Sequence, residues 1–199
     1  MGAFDEAPEV QPADRAGWRR WLESHHGTAR GAWLVMWRPS SGRSNLDYEA
    51  AVEEALCFGW VDSRGGAVDE QRTKLYFALR KPRSGWARPN KERVERLIAA
   101  GLMTPAGLAS IERAKANGSW TILDAVERLE VPDDLGRALA ARPPAREHWD
   151  AFPRSARRAM LEWIAVARKD ETRARRIETA AEAAQRNERA NERRPGGGD

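Results

Sequence analysis

The sequence predicts an α+β fold: a small, mainly antiparallel sheet packed with helices, followed by a helical C-terminal module. Two observations carry that prediction. Strand signals fall before Pro82, as an apolar run at Ala32–Trp37 and an alternating run at Lys74–Arg80. After Pro82 the apolar spacing becomes helical, and cap and stop residues recur along the chain. The expected organisation is an α+β domain at residues 13–141, a helical module at 142–187 and a disordered tail at 188–199, where charge gives way to Pro-Gly-Gly-Gly.

Taken in order, Pro12-Ala13-Asp14 opens a helix on which Trp18, Trp21 and Leu22 recur at helical spacing. In the run Ala32–Trp37, Trp33, Val35 and Trp37 share one face while Leu34 and Met36 share the other, so both faces should be covered. Asp47 is an N-cap for a helix carrying Ala51, Val52, Ala55 and Leu56, and Gly59 is its stop signal. Trp60-Val61 reads as a short strand, with Gly65-Gly66 as a tight turn. In the next strand Leu75, Phe77 and Leu79 point one way; Lys74, Tyr76, Ala78 and Arg80 form a basic, tyrosine-bearing open face. Asn90 caps a helix ended by Gly101, and Thr104-Pro105 starts another that stops at Asn117-Gly118. Pro132, Pro153 and Asp170 open the later helices, and Arg142-Pro143-Pro144 is the expected break between domains.

Composition narrows the function. The chain has 199 residues, 41% hydrophobic and 32% charged, enough to bury a core without staples. Its single cysteine, Cys57, excludes an intramolecular disulfide and reads as a packed thiol. No apolar run is long enough to cross a bilayer, and the acidic N-terminal stretch lacks the basic and apolar regions of a secretory signal. The expected location is therefore cytoplasmic. The basic excess is local: residues 64–100 carry 10 Lys/Arg against 4 Asp/Glu. Such a patch attracts anions but is not the continuous stripe of a nucleic-acid binder.

Within that patch, Arg72, Lys74, Tyr76 and Arg80 with the following Lys81, Arg83, Ser84 and Trp86 form the first candidate site. Arginine offers paired donors to a carboxylate or phosphate, and an indole stacks on a ligand or a guanidinium. Asn90 and Arg93 would add a helix start nearby. The same residues also fit a solvated sheet face paired with Glu92, Glu95 and Asp69. Trp60, Asp62, Ser63 and Arg64 form the second candidate, where Asp62 orients an arginine rather than serving as a base, since no histidine or second carboxylate completes a proton relay, and Ser63 reads as a turn residue. His25, His26 and His148 show no metal-ligand spacing, and no nucleotide or zinc motif is present.

The stretch Phe58-Gly59-Trp60-Val61-Asp62, Lys81-Pro82-Arg83-Ser84-Gly85-Trp86 and Asn90 to Leu97 resembles the YdeI/OmpD-associated, or bacteriocin-protection, family of bacteria. Arg93 to Ile98, Gly101-Leu102-Met103, Phe152-Pro153, Trp163-Ile164-Ala165 and Glu171-Thr172-Arg173 extend the resemblance from about Trp18 to Asn187. The sequence departs at Ala78-Leu79, where relatives carry Thr-Pro, and at Ala87, where they carry Ser. The resemblance implies a role in bacteriocin or stress tolerance and makes residues 142–187 the family's helical module.

The leading expectation is a non-enzymatic cytoplasmic binding protein, with no catalytic residues, metal or cofactor. Its ligand, anionic or aromatic, would meet Trp60, Asp62, Arg72, Tyr76, Arg80, Arg83, Ser84, Trp86, Asn90 and Arg93. Expected partners are a small anionic or peptide ligand and a protein, rather than nucleic acid. Two alternatives stand beside it: a small enzyme using Asp62 and arginines on an anionic substrate, and a nucleic-acid-binding protein.

Overall fold

The computed structural model describes Phe4 and residues 6–190. Of the tail expected at 188–199, residues 191–199 lie outside the described residues, whereas Ala190 is buried. The fold is α+β, with a mixed four-stranded sheet and, among the described residues, nine α-helices. The chain forms two compact units. Among the described residues, the first comprises those up to Ser84 and 89–120; the second comprises Gly85–Arg88 and residues 121–190. Among the described residues no helix is long and apolar enough to cross a membrane.

The sheet belongs to the first unit. Strands β1 (Glu9–Val10), β2 (Ala32–Trp37), β3 (Trp60–Ala67) and β4 (Arg72–Leu79) lie in the order β1-β2-β4-β3. β1 runs parallel to β2; the other pairs are antiparallel. Ala32 to Met36 are all buried, so β2 is covered on both faces as its apolar run predicts. Beyond β1 the edge of β2 meets a side chain instead of a strand. The Asn45 amide donates to Val35 O at 3.0 Å and to Pro12 O at 3.1 Å, and its Oδ1 accepts from Trp37 N at 3.2 Å.

Helices α1 (Arg15–His25) and α2 (Tyr48–Cys57) start where the sequence places their caps. Asp14 accepts from Gly17 N and Asp47 from Ala50 N, each at 2.7 Å, satisfying donors that a first turn leaves open. α2 ends at Cys57, and Gly59 takes a positive φ of 74°, a conformation glycine adopts without strain. Helices α3 (Arg88–Ala99) and α4 (Pro105–Ala116) follow. The Thr104 hydroxyl caps α4 and donates to Cys57 O at 2.6 Å, pinning the start of α4 to the end of α2. Gly107 allows that approach: a Cβ there would stand 2.3 Å from the Cys57 carbonyl oxygen. Trp18, Leu22, Leu34, Leu56, Phe58, Trp60 and Phe77 fill the interior of this unit.

Four local expectations are corrected. Gly65 and Gly66 are not a turn; they lie inside β3, paired with Leu75 and Lys74 after a one-residue bulge between Asp62 and Gly65. The turn falls at residues 68–71, where the Asp69 carboxylate accepts from Gln71 N and Arg72 N at 2.9 and 2.7 Å. The open face expected on β4 is not open: Tyr76 and Arg80 are buried, while Leu79 is exposed. Asn90 does not cap α3 but lies within it, and Asp170 is the first residue of its helix rather than the cap, which is Lys169.

The second unit is helical: α5 (Asp124–Glu127), α6 (Asp133–Ala140), α7 (Ala145–Ala151), α8 (Arg154–Ala165) and α9 (Asp170–Gln185). The Pro143–Pro144 bond, between α6 and α7, is cis. α9 packs on α6, α7 and α8. It presents Ile177, Ala180, Ala181, Ala183 and Ala184 to a core containing Leu135, Leu139, Trp149, Met160 and Ile164. Small side chains on that face let neighbouring helices come close.

Candidate functional site

The ten residues singled out in the sequence fall into different settings. Trp60 is fully buried; its indole N–H donates to His26 O at 3.1 Å, and Trp21 meets it edge-on. Arg72 forks Asp69, donates to Gln11 Oε1 at 3.0 Å and lies over the Trp37 ring. Tyr76 packs edge-on against Phe4 and Trp33, and its hydroxyl occupies the space a Cβ at Gly31 would need. Trp86 is buried and belongs to the second unit. Arg83 is exposed. Within the first unit, Trp60, Arg72, Tyr76 and Arg83 thus occupy separate settings.

Asp62, Arg80, Ser84, Asn90 and Arg93 do share one neighbourhood of the first unit. β3 presents Asp62, half-buried, and its carboxylate accepts from the Tyr48 hydroxyl at 3.1 Å. Arg80 follows the last residue of β4; its backbone N–H donates to Gly59 O at 3.0 Å, which carries the β3–β4 pairing one residue further. The residue is 5% exposed, and its Nη1 donates to Ser84 Oγ at 3.2 Å. Burial pushes the Arg80 guanidinium down to about 10, against the opposing pull of Asp62.

Arg93 sits one helical turn from Asn90 and donates to its Oδ1 at 2.9 Å. It also forks Glu49, with Nε at 2.9 Å and Nη2 at 2.6 Å. Those bonds hold the Glu49 carboxyl below the usual carboxylate range and raise the Arg93 guanidinium. Burial, then the Asp62 charge, keeps the Tyr48 phenol above its ordinary value, although the residue is 50% exposed. Tyr48 and Glu49 were not among the sequence candidates. The signal that could have found them is their place directly after the Asp47 cap, where first-turn side chains point away from the helix body.

Chemically, this neighbourhood consists of paired charged side chains and offers a hydroxyl and an aromatic face. His25 stacks on Trp21, His26 lies against Phe58, and His148 bonds to Ala184 O, so each histidine is engaged away from Asp62. Cys57 is buried, and burial together with Glu54 pushes its thiol up to about 11, which suits packing rather than attack.

Residues 10–110, just over half of the chain, match the family model described as Domain of unknown function (DUF8412). The chain belongs to that family. Residues 128–187 match the model described as Bacteriocin-protection, YdeI or OmpD-Associated, so the resemblance read in the sequence is present in the stretch from α6 to α9. The Phe58–Asp62 and Lys81–Trp86 motifs lie within the DUF8412 match instead. No curated protein and no solved structure gives a significant match to the chain. The Asp62–Arg80–Arg93 neighbourhood is thus a feature of the DUF8412 region, while the bacteriocin-protection region contributes the helical core.

Proposed function

We propose that this chain is a cytoplasmic, non-enzymatic binding protein serving bacteriocin or antimicrobial tolerance. Its ligand is a small anion bearing an aromatic group, held beside Asp62, Arg80, Ser84 and Tyr48. The observation that supports this reading is the buried Arg80. At 5% exposure it donates Nη1 to Ser84 Oγ at 3.2 Å, and a cation held this far from bulk water meets an anion more strongly than a solvated arginine does. The exposed Tyr48 ring supplies an aromatic face, and Arg83 a solvated cation, on the same unit. The match of residues 128–187 supports the tolerance role.

Isothermal titration with benzoate and with inorganic phosphate tests the reading. Benzoate should bind saturably, Tyr48→Ala should weaken it about tenfold, and Arg83→Ala less than that. Both variants should melt as the unaltered protein does. Absence of saturable heat with either anion would remove the site. Bacteria expressing the chain should survive a bacteriocin dose that kills cells expressing Tyr48→Ala; equal survival would separate the site from tolerance.

A further inference from the structure

The second unit contains a cleft that the reading above does not use. Its volume is about 390 Å³, and Ile122, Val126, Val131, Leu161 and Ile164 line it. An engineered apolar cavity of roughly 150 Å³ takes up benzene, so this cleft has room for a body of two rings. It also falls within the usual range of small-molecule sites, roughly 300–1,000 Å³.

Two charged residues line it, and they are not equivalent. Glu130 is forked by Arg128 at 2.5 and 3.2 Å, so its carboxylate already has a cation on the surface. Arg173 donates Nε and Nη2 to Asp134 at 2.8 and 3.0 Å, which leaves Nη1 outside that fork. Asp134 holds the guanidinium plane in place, an arrangement that preorganises an arginine for a second anion. Arg173 also lines a neighbouring, more polar cleft with Arg137, Arg142 and Asp170. It therefore stands where the apolar cleft meets a polar one.

We infer that this cleft binds a carboxylate with an apolar body of about two fused rings, the rings against Val126, Val131, Leu161 and Ile164 and the carboxylate at Arg173. Val131, Leu161, Ile164 and Arg173 lie inside the bacteriocin-protection match, whereas Ile122 and Val126 precede it. The inference is independent of the site at Asp62 and Arg80, which belongs to the other unit.

The test uses three probes on the full chain: 2-naphthylacetate, the neutral 2-naphthylethanol and the cationic 2-naphthylmethylammonium. Affinities are read by calorimetry, and positions by the amide shifts of α8 and α9. The carboxylate should bind at least tenfold more tightly than the alcohol, and the ammonium most weakly. Arg173→Gln should erase that preference while the alcohol's affinity stays within about twofold. Ala125→Phe, an exposed position lining the same cleft, should weaken all three probes without lowering the melting temperature. Tyr48→Ala and Arg83→Ala should leave the α8 and α9 shifts unchanged. Equal affinity for the three probes, preference for the ammonium, or shifts that survive Ala125→Phe would each overturn the assignment.

Discussion

In the first unit a buried carboxylate, Glu54, accepts from Arg15 at 2.6 Å and Arg19 at 2.9 Å. The pairing continues outward through Glu53 and Glu49 to Arg96 and Arg93. In the second unit the interior is apolar and rich in alanine; its buried residues are Leu, Ile, Met, Trp, Phe, Val and Ala. Its ion pairs, among them Arg158 with Glu127 and Arg173 with Asp134, lie on partly exposed helix faces. The difference is instructive about positioning. An apolar core sets how much is buried but leaves relative helix rotation to side-chain shape. A buried carboxylate between two arginines fixes α1 against α2 in one register, because any shift would strand a charge. The unit that carries the proposed Asp62–Arg80 site is the one with that constraint.

The largest expected effect breaks the apolar side of the contrast. Trp149→Ala should cost the second unit about 3–5 kcal/mol, because a fully buried indole leaves a cavity that its neighbours cannot fill. Denaturant unfolding followed by amide exchange of α7 and α9 measures it, and a loss below about 1 kcal/mol would mean the core recloses. Gly107→Ala tests the first unit next. Alanine is the better helix former by about 1 kcal/mol, yet its Cβ would meet the Cys57 carbonyl oxygen at 2.3 Å. The net should be a loss of about 2 kcal/mol; stabilisation would show that α4 slides freely on α2.

Glu54→Ala sharpens the comparison directly. It removes the acceptor Arg15 and Arg19 share, but both are partly exposed and keep Glu53 and Glu23, so the cost should be about 1–2 kcal/mol rather than the larger figure for a fully buried pair. A neutral result would reduce the ion network to decoration. The smallest effect is in pH. Glu49 and Asp134 are both lowered by their arginines in the folded state. Their contribution is therefore complete above the ordinary carboxylate range, about pH 4, and is lost as pH falls through the lowered folded values. Each pair is partly exposed, so the loss per pair should be small. Stability that rises on acidification from pH 5 to pH 3 would contradict both assignments.

Much of the fold was legible because its signals are local. Asp14, Asp47 and Thr104 announce their helices within three residues. What could not be read depends on partners distant in sequence. β1 is two residues paired with a strand more than twenty positions away, so no periodicity marks it. Tyr76 looks solvated on alternation alone; Phe4 and Trp33 cover it. Arg80 was grouped with Lys74 on one open strand face, but it is buried and bonded to Ser84, four positions along the chain. Arg83 and Trp86 are three positions apart yet belong to different units, which contiguity in sequence cannot express.

The Asn45 amide on the rim of β2 has a consequence for colloidal behaviour. One side chain occupies both the acceptor of Val35 and the donor of Trp37, the two groups a foreign strand would need in order to add there. The sheet is thereby denied growth on that side beyond the two residues of β1. Asn45→Ala leaves a tryptophan-bearing edge ready for pairing between molecules, and concentrated solutions of that variant should form β-rich aggregates on mild warming while still folded at dilution.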